Sequence, residues 1–159
     1  MTQPDVSVGG VVGVDLRRGD LAGLDELDVD GVAVFVFADV RPLRGVAGYV
    51  DWRLCGELSR CIESGLFTAL DGETMLLPTT GRLGRRRVFV FGLGAAARGD
   101  RAVFGMAVAN AVDVMRRAGV SSMALGAPAG GHGGSAEREF VRAVAAEMPG
   151  RSVQVLVEA

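Results

Sequence analysis

The chain contains no lysine: all 17 of its cationic residues are arginine, which removes lysine from any catalytic role. Histidine, tryptophan, tyrosine and asparagine occur once each, as His132, Trp52, Tyr49 and Asn110. The two cysteines, Cys55 and Cys61, lie six apart in a helical pattern. On one helix they point ~120° apart and cannot bridge each other. No apolar run is long enough to span a bilayer, and no secretory leader is recognisable at the start, so a reduced, cytoplasmic protein is expected. Against 17 arginines stand 19 carboxylates, a net charge of −2 that supplies no global attraction to nucleic acid or anionic membrane.

What is present is a globular chain. Apolar residues make up 49% and charged residues 23%, too apolar a balance for disorder, and 159 residues suffice for one domain (1–159) with a real core. Strand-like and helix-like segments alternate. "VVGVDL" (11–16) is a short apolar run, followed by the acidic connection "RRGDLAGLDELDVDG". "VAVFVF" (32–37) is continuous and rich in β-branched residues, as a strand covered on both faces should be. Pro42 opens a helix whose apolar stripe is Leu43, Val46, Val50, Leu54, Leu58 and Ile62. "TMLLP" (74–78) and "RVFVFGL" (87–93) form a strand pair around "TTGRLGRR". A second helix is expected over 101–118, a strand over 121–127, a helix from about Ser135 and a closing strand over 152–158. This alternation predicts an α/β layered domain with a mixed, largely parallel sheet.

Open α/β sheets bind ligands beyond the carboxyl ends of their strands. Three glycine-bearing turns fall at such ends: "RPLRGVAG" after 32–37, "GLGAAARGD" after 87–93 and "GAPAGGHGG" (126–134) after 121–127. Glycine lets backbone N–H groups approach an anion, and a following helix start adds positive potential. Glu137 and Glu139 at the start of the last helix favour its dipole but oppose a bound anion. The loop 126–134 also reads as a plain strand-to-helix turn, with His132 on its surface rather than acting as a base. Asp20 reads equally as a turn residue capping its own backbone. "RLGRRR" (82–87) reads as a solvated turn protecting an edge rather than a nucleic-acid contact. Trp52, Tyr49, Cys55 and Cys61 read as core.

In order along the chain, "GDLAGLDELDVDGVAVFVFADV", "RGVAGYVDW", "TTGRLGRRRVFVFGLG" and "MALGAPAGGHGGSAEREFVRAV" resemble the segments of a macro domain. Residues 41–94 are more specifically similar to the N-terminal, macro-like domain of leucyl aminopeptidases. The resemblance covers roughly 14–148 and implies a three-layer α/β/α fold. It implies ligand contacts at Asp20, as the adenine-contacting aspartate of the "G-D-I" turn, at Gly45 and Gly48, at Gly92 and Gly94, and along the distal-phosphate loop of Gly130, Gly131, His132, Gly133 and Gly134. Where macro hydrolases carry asparagines this chain has Val34, Phe35, Val36 and Phe37, and Asn110 lies mid-helix. The aminopeptidase metal site and catalytic residues belong to a C-terminal domain with two functional lysines, and the acidic cluster Asp25, Glu26, Asp28 and Asp30 sits on a connecting loop. The expectation is therefore a stand-alone, non-catalytic module without metal or cofactor that acts through protein interaction or regulation, as a homo-oligomer or with a protein partner. The alternative is a binder of ADP-ribose or a related nucleotide; neither nucleic acid nor membrane is an expected partner.

Overall fold

The computed structural model describes residues 13–130 and 134–158. Its elements are β1 (Val14–Arg18), α1 (Leu21–Glu26), β2 (Gly31–Val36), α2 (Gly45–Arg53), α3 (Glu57–Glu63), β3 (Thr74–Leu77), β4 (Arg87–Gly92), α4 (Arg101–Arg117), β5 (Met123–Gly126), α5 (Ser135–Glu147) and β6 (Val153–Val157). The six strands form one sheet in the order β1-β6-β5-β2-β4-β3. Every pairing is parallel except β3 with β4. The expected mixed, largely parallel sheet is present. The last strand, however, does not close the sheet at an edge; it lies between β1 and β5.

Two apolar clusters, one on each face, make the three layers. All of β2 is buried, and its side chains alternate between the faces as a strand's must. Ala33, Phe35 and Phe37 enter the cluster covered by α4 and α5. Val32, Val34 and Val36 enter the one covered by α1, α2 and α3. On the first face Phe35 stacks on Phe91 at 5.4 Å between ring centroids and meets Phe140 edge-on at 4.9 Å. Val46, at the start of α2, fixes the second face. A Cβ on Gly126 would lie 2.6 Å from Val46 Cγ1, and one on Gly19 would lie 2.7 Å from Val46 Cγ2. The helix therefore rests on the ends of β5 and β1 only because both positions are glycine.

Several expectations need correction. The acidic connection after β1 contains a helix, α1, because the Asp20 carboxylate accepts the Gly23 N–H at 2.8 Å and caps its first turn. Asp25 and Glu26 thus sit on a helix, and Asp30 is a structural staple. Its carboxylate accepts from the Ser121 hydroxyl and the Ser121 and Ser122 amides, tying the entry of β2 to that of β5. The expected helix from Pro42 begins at Gly45 and breaks after Arg53. Cys55 (φ 55°) and Gly56 (φ 80°) are both left-handed there, and Asp51 accepts from the Ser59 amide and hydroxyl at 3.0 and 2.6 Å across the break. Cys55 and Cys61 therefore lie on either side of a bend rather than on one helix. Cys61 is buried, but Cys55 is exposed, and so is Trp52, at 67%. The arginine-rich hairpin is less solvated than expected. Leu83 is buried beneath it, and the Arg86 guanidinium donates to the carbonyls of Leu24 and Leu83.

Gly126→Ala is expected to destabilise the fold by about 1–3 kcal/mol, the range for overpacking a filled core. Its new methyl group must displace Val46 while also meeting the Ala33 carbonyl at 3.2 Å. A urea denaturation midpoint equal to that of the parent chain would disprove the wedge.

Candidate functional site

The crevice that an open α/β sheet offers a ligand lies beyond the carboxyl ends of β2 and β5, where the chain crosses to the other half of the sheet. In this protein the loop leaving β2 turns back over that end. Arg41 donates to the carbonyl oxygens of Phe37 (3.0 Å) and Val40 (2.6 Å). Asp39 accepts the Ala96 N–H at 2.8 Å, and the Ala38 N–H reaches the Gly94 carbonyl at 2.8 Å. So pinned, the loop places Val40 against one core cluster and Leu43 against the other. From the opposite side, the loop after β5 brings Ala129 onto Gly45 and Gly130 onto Val40. Added Cβ atoms would lie 2.6 Å from Ala129 Cβ and 2.5 Å from Val40 Cγ1 respectively. Between them, bounded by Phe35, Phe37 and Ala47, a cavity of ≈ 10 Å³ is left, room for about one water.

Outside this contact is a shallow depression of ≈ 360 Å³ lined by Arg44, Gly130, Gly134, Glu137 and Glu158. Arg44 lines it with two carboxylates, and the Arg138 guanidinium lies beside Gly134, 3.8 Å from where a Cβ there would be. Glu137, in the first turn of α5, accepts the Glu158 N–H at 2.8 Å, so it is already engaged in holding the end of the last strand.

Each predicted residue that lies among the described ones has a definite place. Asp20 carries its carboxylate into its own helix start and into an ion pair with Arg18. The Gly23 amide, and then Arg18, hold its carboxyl below the usual carboxylate range. Gly45 and Gly130 have left-handed backbones (φ 56° and 101°) and admit the opposing loop. At Gly48 a Cβ would lie 2.8 Å from the Leu43 carbonyl oxygen. Gly92 and Gly94 end β4 against the segment 69–71, and the Gly94 N–H donates to the Ala69 carbonyl at 3.0 Å. Gly134 precedes α5 with φ 70°. Gly131, His132 and Gly133 lie outside the described residues. The structure brings the loops of Gly45 and Gly130 together, and Asp20 follows Gly19, whose Cβ would lie 2.7 Å from Val46 Cγ2 at the start of α2. Sequence reasoning missed the residues that occupy the crevice: Arg41, Val40, Leu43 and Ala129. The one signal for them is "DVRPLRG", two apolar residues around an arginine where a ligand loop would be small and open.

Among the described residues no three His, Cys, Asp or Glu side chains meet as a metal would require. None of the described helices is long and apolar enough to cross a membrane.

Comparison with known proteins places this geometry. The sequence profile of the cytosol aminopeptidase family, N-terminal domain, matches residues 33–152. The chain belongs to that family. This aminopeptidase N-terminal domain superposes on a tomato leucine aminopeptidase mutant with a TM-score of 0.65 at 14% identity, covering 100% of this chain and 35% of that one. The chain thus spans about a third of that enzyme's length. It matches the macrodomain of Thermus aquaticus DarG at TM-score 0.59 and 19% identity, over 91% of this chain and 97% of that one. It matches an Oceanobacillus iheyensis macrodomain mutant at 0.59 and 15%, over 92% and 84%. At these identities the likeness establishes the macro-type α/β fold. No curated protein matches the sequence.

Asp20→Ala is expected to cost about 1 kcal/mol, as loss of an N-cap does. Because the folded-state pKa is lowered, this stabilisation is present above the ordinary carboxylate range and is lost as pH falls through the lowered value. Denaturation curves of parent and variant should therefore converge in acid; a constant gap down to pH about 2 would contradict the capping role.

Proposed function

We propose that this aminopeptidase N-terminal domain is a non-catalytic protein-interaction or regulatory module. The observation that carries the reading is the contact of Val40, Leu43 and Ala129 beyond the carboxyl ends of β2 and β5, which leaves ≈ 10 Å³ between the two loops. The chemistry of the surroundings points the same way. No polar or charged side chain is buried among the described residues, so no acid–base pair is shielded from water there. The strand-end positions Val34 to Phe37 are apolar and buried, and their side chains offer no hydrogen bond to orient a ribose. Asp20 and Glu137 are already engaged with the backbone.

The competing reading is a binder of ADP-ribose or a related nucleotide, with the loop 130–134 as an anion site. Arg44 and Arg138 are the cations that would serve it, but Glu137 and Glu158 oppose a diphosphate at the same depression. Calorimetric titration separates the two. Binding of ADP-ribose is expected to be weak, on the order of 0.1–1 mM, or roughly 4–5.5 kcal/mol. Micromolar affinity would make the nucleotide reading the better one.

A peptidase reading is tested separately. No carboxylate cluster that could bridge two metal ions is found among the described residues. The protein is expected to release nothing from leucyl-anilide substrates with added zinc or manganese. Metal-dependent turnover that persists through further purification would overturn the non-enzyme reading.

A further inference from the structure

The sheet has two edges of very different character. At β1, Asp15, Arg17 and Arg18 place three charges in five residues, a common protection against strand pairing. At β3 the sequence Thr74-Met75-Leu76-Leu77 carries none. Three large apolar side chains are exposed on β3 or on the segment leading into it: Leu66 at 71%, Leu70 at 61% and Leu76 at 56%.

The hydrogen-bonding parity of β3 follows from its neighbours. On β4, the Arg87 and Leu93 N–H groups run towards β2, to the carbonyls of Asp30 and Val36. The Gly92 N–H runs the other way, to the Glu73 carbonyl at 2.8 Å. With the register Thr74↔Phe91 and Met75↔Val90, the backbone groups of Met75 and Leu77 therefore face β4. Those of Thr74 and Leu76 point outward from the sheet edge.

We infer that β3 pairs antiparallel with β3 of a second copy of this chain, making one continuous sheet across a two-fold axis at Met75. In that register Thr74 exchanges both backbone hydrogen bonds with the partner's Leu76, and Leu76 does so with the partner's Thr74. Met75 then faces the partner's Met75 as a non-hydrogen-bonded pair, with Cα atoms about 4.5 Å apart. Charge favours this partner. Antiparallel pairing sets the end of β3 preceded by exposed Asp71 beside the partner end that leads into exposed Arg82 and Arg85. Because the other edge is charged, the association closes at two copies instead of growing. The contact is small, so a weak dimer is the result. This inference gives the interaction reading a partner and depends on that reading for its use in the cell. Its own test is mass, whereas the crevice is tested by nucleotide heat, so either can fail alone.

Light scattering across a concentration series should show mass rising from monomer towards dimer as the protein approaches about 1 mM, the regime of a small interface. Leu76→Lys should remain monomeric throughout with an unchanged denaturation midpoint. Met75→Cys in a Cys55→Ser background should form a disulfide-linked dimer on mild oxidation, while Cys55→Ser alone should not. Two results would overturn the inference: a strict monomer together with no linkage through Met75→Cys, or a dimer that Leu76→Lys leaves intact.

Discussion

The placing of α2 on the sheet depends on Val46. This side chain, 1% exposed, fills the space that two missing β-carbons leave, at Gly126 on the end of β5 and at Gly19 just past β1. Because the fit is between a branched side chain and bare backbone, it admits little sliding. It sets how close the first turn of α2 sits to the strand ends, and hence where the loop before that helix must run. That loop, from Ala38 to Arg44, has no free course. Asp39 and Arg41 tie one end down, and Gly45 against Ala129 ties the other. The meeting of this loop with the one after β5 is thus a consequence of how the second helix is seated.

The layered fold was largely legible because its signals are periodic and repeated. β2 reads as a buried strand from "VAVFVF" alone, and the apolar stripes of α4 and α5 lie where Phe104, Val108, Phe140 and Val144 are buried. What escaped was set by single residues. The helix break at Cys55–Gly56 interrupts a stripe that continues across it, since Leu54 and Leu58 are both buried and keep a four-residue spacing. The positive φ of Cys55, a residue with a β-carbon, cannot be seen in a pattern of apolar positions. α1 escaped because its six residues are too short for periodicity, and only the Asp20 cap marks them.

The strand-end glycines were legible as places of close approach, but not what approaches them. Gly45 and Gly130 come from loops that meet beyond the ends of β2 and β5. But a missing β-carbon has one physical effect, the close approach of another group, and it is silent on whether that group is a phosphate or the protein itself. At Gly45 the group is Ala129; at Gly130 it is Val40, ninety residues earlier in the chain. Partners so distant in sequence leave no local trace.

Beyond the carboxyl ends of β2 and β5, Val40, Arg41 and Ala129 are spent on contacts within the chain. Charges are spent likewise: Asp20 on a cap, Arg41 on two carbonyls, Glu137 on the Glu158 amide. At the other end of the sheet Asp30, Arg86 and Arg87 are similarly engaged with backbone. Among the described residues one buried side-chain nitrogen, Arg53 Nε, lacks a hydrogen-bond partner; at the sheet edge it is backbone that remains unpaired, the outward N–H and C=O groups of a short, uncharged strand flanked by exposed leucines. Recognition through such groups needs no particular side-chain chemistry, only a partner strand of matching length and polarity.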